Sequence, residues 1–300
     1  MLVTSQLLLR CKSWLRTRCP SLLVVTQRIA AETVMFRDER RYLKGKRETD
    51  SHLSSVLFFA SIRSASQHVS EIIARLYREA GGASLNLSRL DFFRGRQMEG
   101  AVLSEKEAEQ RFVSQGYYFG VCRPIEPSAD LSDFKKVFIF RDPRDIMVSF
   151  YYSLAYAHSP SDAKFARDAK EAREKGIEWF VHQPRRLKMV GEQLRKMRDL
   201  TNQYPNSLVI KYEDMMADFE GFLKDLARYM GIEEETQKLQ AAIVAEHQSE
   251  LQRKSTNLAH RRAGNWGQFE DKLSPETVDF LNKEFEDLLA HFDYPISVAG

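Results

Sequence analysis

The chain has 300 residues, 43% of them hydrophobic and 29% charged, which suffices for a globular core in one large domain or two small ones. A formal net charge of +3, without aromatic residues interleaved among the basic ones, does not suit a nucleic-acid surface. No apolar run approaches the roughly 18 residues that span a membrane, so none is expected to do so.

The charge is unevenly placed. Residues 1–50 hold eleven Lys/Arg against five Asp/Glu, and residues 1–31 hold five basic residues and no acid. That pattern fits a basic helical arm, a surface-seeking helix with peripheral membrane contact, or a transit-type presequence. Leu7-Leu8-Leu9 is cut by Arg10 and Lys12, too soon for a secretory core. Cys11, Cys19 and Cys122 are odd in number and lack metal-type spacing, which points to a reducing, cytoplasmic setting. Residues 1–50 are expected to be a peripheral arm, and 51–300 the core domain.

The first core strand is expected at Val56–Ala60. Ser61 to Gln67 then forms a loop of small and hydroxylated residues around one arginine. From His68 the apolar period becomes helical, with Val69, Ile72, Ile73 and Leu76 on one face. Gly81-Gly82 ends that helix. Ser84 to Phe93 alternates like a strand or strand–turn, and Glu105 to Phe112 suits a short helix. Further strands are expected at Tyr117–Val121, Lys136–Phe140 and Ser207–Lys211. Ile146 to Tyr156 reads as helix, capped by Asp142 or started at Pro143. Ser159 to Gly176 is polar without an apolar period and reads as a mobile excursion. Pro184 opens a helix with Leu187, Val190, Leu194 and Met197 on its apolar side. Asp214–Met230 reads as one amphipathic helix closed by Gly231. Glu233–Glu246 and Pro275–His291 are two more, with a loop over Ser255–Phe269 between them. Strands alternating with helices predict an α/β fold, its mainly parallel sheet covered by helices on both faces.

Two stretches carry chemistry. A strand–loop–helix at Phe58 to Ile73 aims backbone N–H groups and the positive end of a helix dipole at one point, which suits a phosphate or sulfate. It lacks the G-x-x-x-x-G-K-[ST] of a nucleotide P-loop. The second stretch, Val137 to Tyr152, ends a strand in Arg141 and places Ser149 eight residues on, at the sheet edge where open α/β folds bind ligands. Arg141 offers a planar fork for an anion and Ser149 a hydroxyl donor. The competing reading pairs Arg141 and Arg144 with Asp142 and Asp145 as surface ions.

These residues resemble the sulfotransferases that use 3′-phosphoadenosine 5′-phosphosulfate (PAPS). Ile62-Arg63-Ser64-Ala65-Ser66-Gln67 resembles the family's 5′-phosphosulfate loop, with Arg63 for the usual lysine and Ala65 for the usual glycine. Arg141, Pro143, Arg144, Asp145, Val148, Ser149 and Tyr151 match its 3′-phosphate motif. Gly176, Trp179 and His182, then Lys211 to Met215, then Arg261 to Trp266 resemble three further segments in the family's order. The resemblance spans about residues 53–295 and implies a three-layer fold like that of P-loop nucleotidases. It also implies in-line transfer of a sulfuryl group to a hydroxyl or amine of a small-molecule or glycan acceptor, leaving 3′-phosphoadenosine 5′-phosphate (PAP).

By that resemblance Arg63, Ser64, Ala65, Ser66 and Gln67 bind the 5′ end. Arg141, Ser149 and Arg261 or Arg262 hold the 3′-phosphate, Tyr212 meets the adenine, and Arg63 also neutralises the leaving oxygen. No metal is implied. The histidine that many members carry before the third strand is absent from Tyr118 to Pro124. Asp91, where other branches place an acid, is the candidate base, and His68 the second. The missing histidine leaves a catalytically silent PAPS-binding or scaffold protein as the alternative. A P-loop small-molecule kinase is a further one, though it would need the lysine and the Mg²⁺-handling aspartate that this chain lacks.

Overall fold

The computed structural model describes residues 20–47, 49–94, 103–122, 128–157, 163–255 and 266–296. The chain opens with helices α1 (Pro20–Thr33) and α2 (Arg37–Leu43), then strand β1 (Val56–Ala60) and helix α3 (Ser66–Glu79). Next come β2 (Ala83–Leu85), α4 (Leu87–Phe93), α5 (Glu105–Arg111), β3 (Tyr117–Cys122) and β4 (Lys135–Phe140). Helix α6 (Pro143–Tyr152) continues as a π turn over Ser153–Ala157 and is followed by α7 (Ala163–Val181) and α8 (Pro184–Gln203). Strand β5 (Leu208–Lys211) leads into α9 (Tyr212–Ala217), α10 (Phe219–Met230) and α11 (Gln237–Ser255). Helices α12 (Gln268–Lys272), α13 (Pro275–Glu284) and α14 (Glu286–His291) complete the described chain.

Among the described residues, all four strand pairings are parallel, in the order β2-β3-β1-β4-β5. Every residue of β1 is buried because helices cover both faces, so the strand reads as a continuous apolar run. Alternation assigns its side chains to two cores. Leu57 and Phe59 join Phe138, Phe140 and the buried faces of α6, α8, α13 and α14. Val56, Phe58 and Ala60 join Val137, Ile139 and helices α3 and α10. Phe59 stacks on Phe138 with ring centroids 4.8 Å apart. Truncating such a ring to alanine costs about 3–5 kcal/mol.

Several expected elements differ. After Leu85 the alternation gives way to helix, because Asn86 caps α4 through the Arg89 N–H and Leu87 and Leu90 fall on one buried face. Helix occupies the part of the expected excursion from Ala163 onward, while residues 158–162 lie outside the described residues. Before Gly176 the buried residues of this helix are alanines (Ala169, Ala172), and Lys175–Glu171 and Lys170–Glu174 pair along its surface. Gly176, at φ 82°, breaks the helical path inside it. The helix expected over Asp214–Met230 is split at Asp218, which caps α10 through the Gly221 N–H. Phe285 splits the one expected over Pro275–His291.

The arm expected to be peripheral packs on the core. Tyr42 is 1% exposed, stacks edge-on against Tyr117 and Phe119, and donates its hydroxyl to the Arg111 carbonyl. Glu39 accepts the Asn86 N–H, and Glu32 takes a bidentate pair from Arg94. A boundary at residue 50 therefore divides residues that share one core.

Candidate active site

The loop after β1 and the turn after β4 are neighbours because β1 and β4 pair directly, and both emerge at the carboxyl edge of the sheet. In the first loop Arg63 (φ 62°) and Ala65 (φ 59°) adopt left-handed backbone. Ala65 thus takes the conformation that favours glycine, at a cost on the order of 1 kcal/mol. Ala65 stands at the N-cap of α3, where no side chain caps the helix, so the first N–H groups of the helix face the loop unclaimed by a cap. Ser64 is buried and donates to the Ser61 carbonyl at 2.6 Å. Ser66 and Gln67 are the first two residues of α3, with Ser66 half-buried and Gln67 exposed.

Gln193, on α8, was not singled out by sequence reasoning. Its Oε1 accepts the Ile62 N–H at 3.1 Å and its Nε2 approaches the Ala60 carbonyl at 3.5 Å. It pins the loop from 131 residues away, a separation at which one sequence carries no local signal.

Arg141 ends β4 and is 6% exposed. Its Nη1 donates to the Arg63 carbonyl at 2.9 Å, its Nη2 meets Asp145 Oδ2 at 3.4 Å, and its guanidinium lies 4.5 Å over the Tyr212 ring. Arg63 in turn donates from Nε to Ser149 Oγ at 3.3 Å. Arg63, Arg141, Ser149 and Tyr212 are thus brought together. The Arg63 guanidinium is exposed at its surface, yet the wall beneath it and then the Arg141 charge hold its pKa below the ordinary arginine value. Two like charges kept this close favour an anion between or beside them.

The pairing of Arg141 and Arg144 with Asp145 and Asp142 is real, but it is not a surface one. Arg144 is wholly buried, forks onto both oxygens of Asp142 (3.0 and 2.6 Å), and donates to Asn282 Oδ1 and the Pro295 carbonyl. Asp142 also caps α6 through the Arg144 N–H, with Pro143 at the first turn. Asp145 accepts the Gly267 and Phe269 N–H groups at 2.8 and 3.1 Å, holding the start of α12. Burial pushes the Asp145 and Glu213 carboxyls up from their ordinary range. Glu213 accepts the Asp142 N–H and the Tyr294 hydroxyl. The charged turn after β4 is therefore a buried frame that fixes Arg141 and draws the C-terminal helices to the site.

The two candidate bases have other company. Asp91 lies on α4, is 4% exposed and forms an ion pair with Arg111 Nη2 at 2.6 Å. Its helix follows the edge strand β2, which β3 separates from β1. His68, exposed on the first turn of α3, has its ring 6.1 Å from that of Phe219 and 6.3 Å from that of His247. Strand β3 carries Gly120, Val121 and Cys122 where histidine was sought, and burial pushes the Cys122 thiol up to about 12. Arg261 and Arg262 lie outside the described residues, as do Arg123 and Pro124.

A cleft of about 540 Å³ lies at the opposite edge, where β4 and β5 begin. There the Lys136 ammonium is spent on the Leu131 and Phe134 carbonyls and lies over the Tyr204 ring, so it supports the fold. Among the described residues, no helix is long and apolar enough to cross a membrane. Nor does any group of three or more His, Cys, Asp or Glu among them suit a metal ion.

The model of the sulfotransferase domain family matches residues 91–293, about two thirds of the chain. The chain belongs to the sulfotransferase family. No curated protein sequence matches it. Among solved structures it is similar to a mouse sulfotransferase complexed with PAP, at 16% identity and a TM-score of 0.50, over 84% of this chain and 93% of that one. A retinol dehydratase in complex with retinol and PAP is also similar, at 17% identity and a TM-score of 0.47, over 78% and 81%. The first likeness agrees with the α/β fold described above. The family match begins beyond the Ser61–Gln67 loop, whose role rests on its geometry.

Proposed function

We propose that this sulfotransferase uses PAPS and transfers its sulfuryl group to a hydroxyl or amine of a small-molecule or glycan acceptor. The observation that carries the reading is the convergence of Arg63, Arg141 and Ser149 on one edge of adjacent strands, beside a helix N-terminus without a side-chain cap. The residues suit a doubly anionic nucleotide. Arg141 Nε is buried without a hydrogen-bond partner, as is Ser61 Oγ in the facing loop. A buried guanidinium N–H left unmade is costly, and a phosphate oxygen would satisfy it. PAP bound to the mouse structure gives the nucleotide its identity in this proposal.

Bound PAPS supplies an activated sulfuryl group on a 5′-phosphate. Arg141 and Ser149 hold the 3′-phosphate, and Asp145 keeps Arg141 oriented. The Arg63 guanidinium and the N–H groups that open α3 stabilise charge on the departing phosphate, acting by position and electrostatics as in phosphoryl transfer. Tyr212, under Arg141, supplies an aromatic wall for the adenine. Asp91 is engaged by Arg111, so it serves this reading as a fixed ion pair rather than as the group that takes the acceptor's proton.

The test is turnover with PAPS against phenolic, alcoholic, amine and glycan acceptors, read as PAP release, together with PAP binding by calorimetry. Turnover with at least one class, lost in Arg63→Ala, supports the reading. PAP binding without turnover on any acceptor replaces it with a silent binding protein, and no PAP binding removes the nucleotide assignment.

A further inference from the structure

Over residues 25–33, helix α1 turns apolar side chains outward. Ala31 is fully buried, while Val25 and Ile29, one turn apart on the other side, are 52% and 58% exposed. Val34 (80%) and Met35 (37%) extend the apolar surface beyond the helix end. Phe36 contacts Phe93 at 5.6 Å and Phe93 contacts Phe92 at 5.5 Å, which carries the patch to Phe92, itself 59% exposed. Scattered apolar residues on a surface need no explanation, but exposed ones one turn apart on a helix, with more at its end and on a packed neighbour, mark an interaction site.

The charges around the patch identify the partner. Glu32 is neutralised by a bidentate pair with Arg94 and Glu39 accepts the Asn86 N–H, which leaves Asp38 as the exposed acid of α2. Arg28, Arg37, Arg41 and Lys44 are exposed. An apolar face rimmed by cations is the pattern of a helix lying in the interface of an anionic bilayer. A second copy of the chain would bring the same cations face to face, and residues 1–19 laid on the patch would add cations to it.

We propose that the outward face of α1, with Val34, Met35 and Phe92, docks on the surface of an anionic phospholipid membrane. The apolar side chains enter the headgroup boundary, and the surrounding lysine and arginine side chains meet the lipid phosphates.

The test is co-sedimentation of the full chain with vesicles of phosphatidylcholine alone and of phosphatidylcholine with phosphatidylserine. Binding is expected only with phosphatidylserine, and should fall at least about tenfold when salt is raised from about 0.1 to 0.5 M. Val25→Glu/Ile29→Glu should lose at least about tenfold in vesicle binding while keeping the wild-type unfolding temperature and PAP affinity. Phe92→Ser is a second, independent variant with the same expected direction. Absence of vesicle binding overturns the proposal, and so does equal binding by both variants, which would place the contact in residues 1–19. A wild-type dimer that Val25→Glu/Ile29→Glu splits, with vesicle binding unchanged, also overturns it in favour of a second copy. Loss of PAP binding with vesicle binding intact would defeat the proposed function alone.

Discussion

Arg63 Nε donates to Ser149 Oγ at 3.3 Å, and this contact joins the loop after β1 to the helix after β4. The same arginine's carbonyl receives Arg141 Nη1. The residues proposed for the 5′ and 3′ ends of the nucleotide are therefore tied to one another, and a ligand that occupies Ser149 competes for the partner of Arg63. The two half-sites should not titrate independently.

Ser149→Ala is expected to weaken PAP by about 1.5–3 kcal/mol and adenosine 5′-phosphate by less, because the first loses the proposed 3′-phosphate contact while the second loses only what Ser149 does for Arg63. Arg141→Ala should weaken both ligands, since it also leaves the Arg63 carbonyl without its donor and loosens the loop. Calorimetric titration of each variant with both nucleotides checks this. Equal losses for Ser149→Ala would place that hydroxyl away from the 3′ end.

Ala65→Gly tests the backbone of the loop. Relief of left-handed strain, about 1–2 kcal/mol, is partly offset by the freedom glycine gains in the unfolded chain, about 0.4–1 kcal/mol. The net expectation is a gain in stability of about 0.5–1 kcal/mol in urea unfolding, with PAP affinity kept. A loss of stability would mean that the methyl packs usefully where it stands.

Removing residues 1–45 should cost cooperative folding, because it takes away Tyr42 with its two aromatic contacts and its bond to the Arg111 carbonyl. Tyr42→Ala alone is expected to cost about 3–5 kcal/mol. Circular dichroism during heating, compared for the truncated and full chains, decides the point. An unchanged, sharp transition in the truncated protein would restore a domain boundary near residue 50.

Legibility in the sequence followed the range of the forces involved. Buried parallel strands announce themselves as apolar runs, so β1, β3, β4 and β5 were placed within a residue or so, and Pro184 with Leu187, Val190, Leu194 and Met197 gave α8. The strand-end arginine and its serine were recognisable because their spacing is local. Helix α7 was missed because its core-facing residues include alanine, which leaves little hydrophobic period to detect. Tyr42 could not be placed, since only the folded chain brings it to Tyr117. The roles of Asp145 and Gln193 depend on partners 122 and 131 residues away. The residues proposed to meet the nucleotide therefore carry local signals in the sequence, whereas those that hold them in place do not.

Asp91 separates a catalytic from a structural reading. Its side chain is buried and its carboxylate lies 2.6 Å from Arg111 Nη2, on a helix capped by Asn86 and beside the carbonyl that anchors Tyr42. Asp91→Asn leaves the guanidinium of Arg111 without its charge partner in a largely buried setting. Breaking one half of such a pair costs about 3–5 kcal/mol, far more than the intact pair contributes. The expected outcome is a lower unfolding midpoint, with turnover per folded molecule within about threefold of wild type. The double variant Asp91→Asn/Arg111→Met removes the stranded charge, and should recover most of the lost stability and the full turnover. If it is instead well folded but at least about a hundredfold slower in kcat, with PAP affinity unchanged, Asp91 takes the acceptor's proton and the ion pair is secondary. His68→Ala completes the comparison. A comparable fall in kcat there, with both Asp91 variants active, would move the base to the first turn of α3.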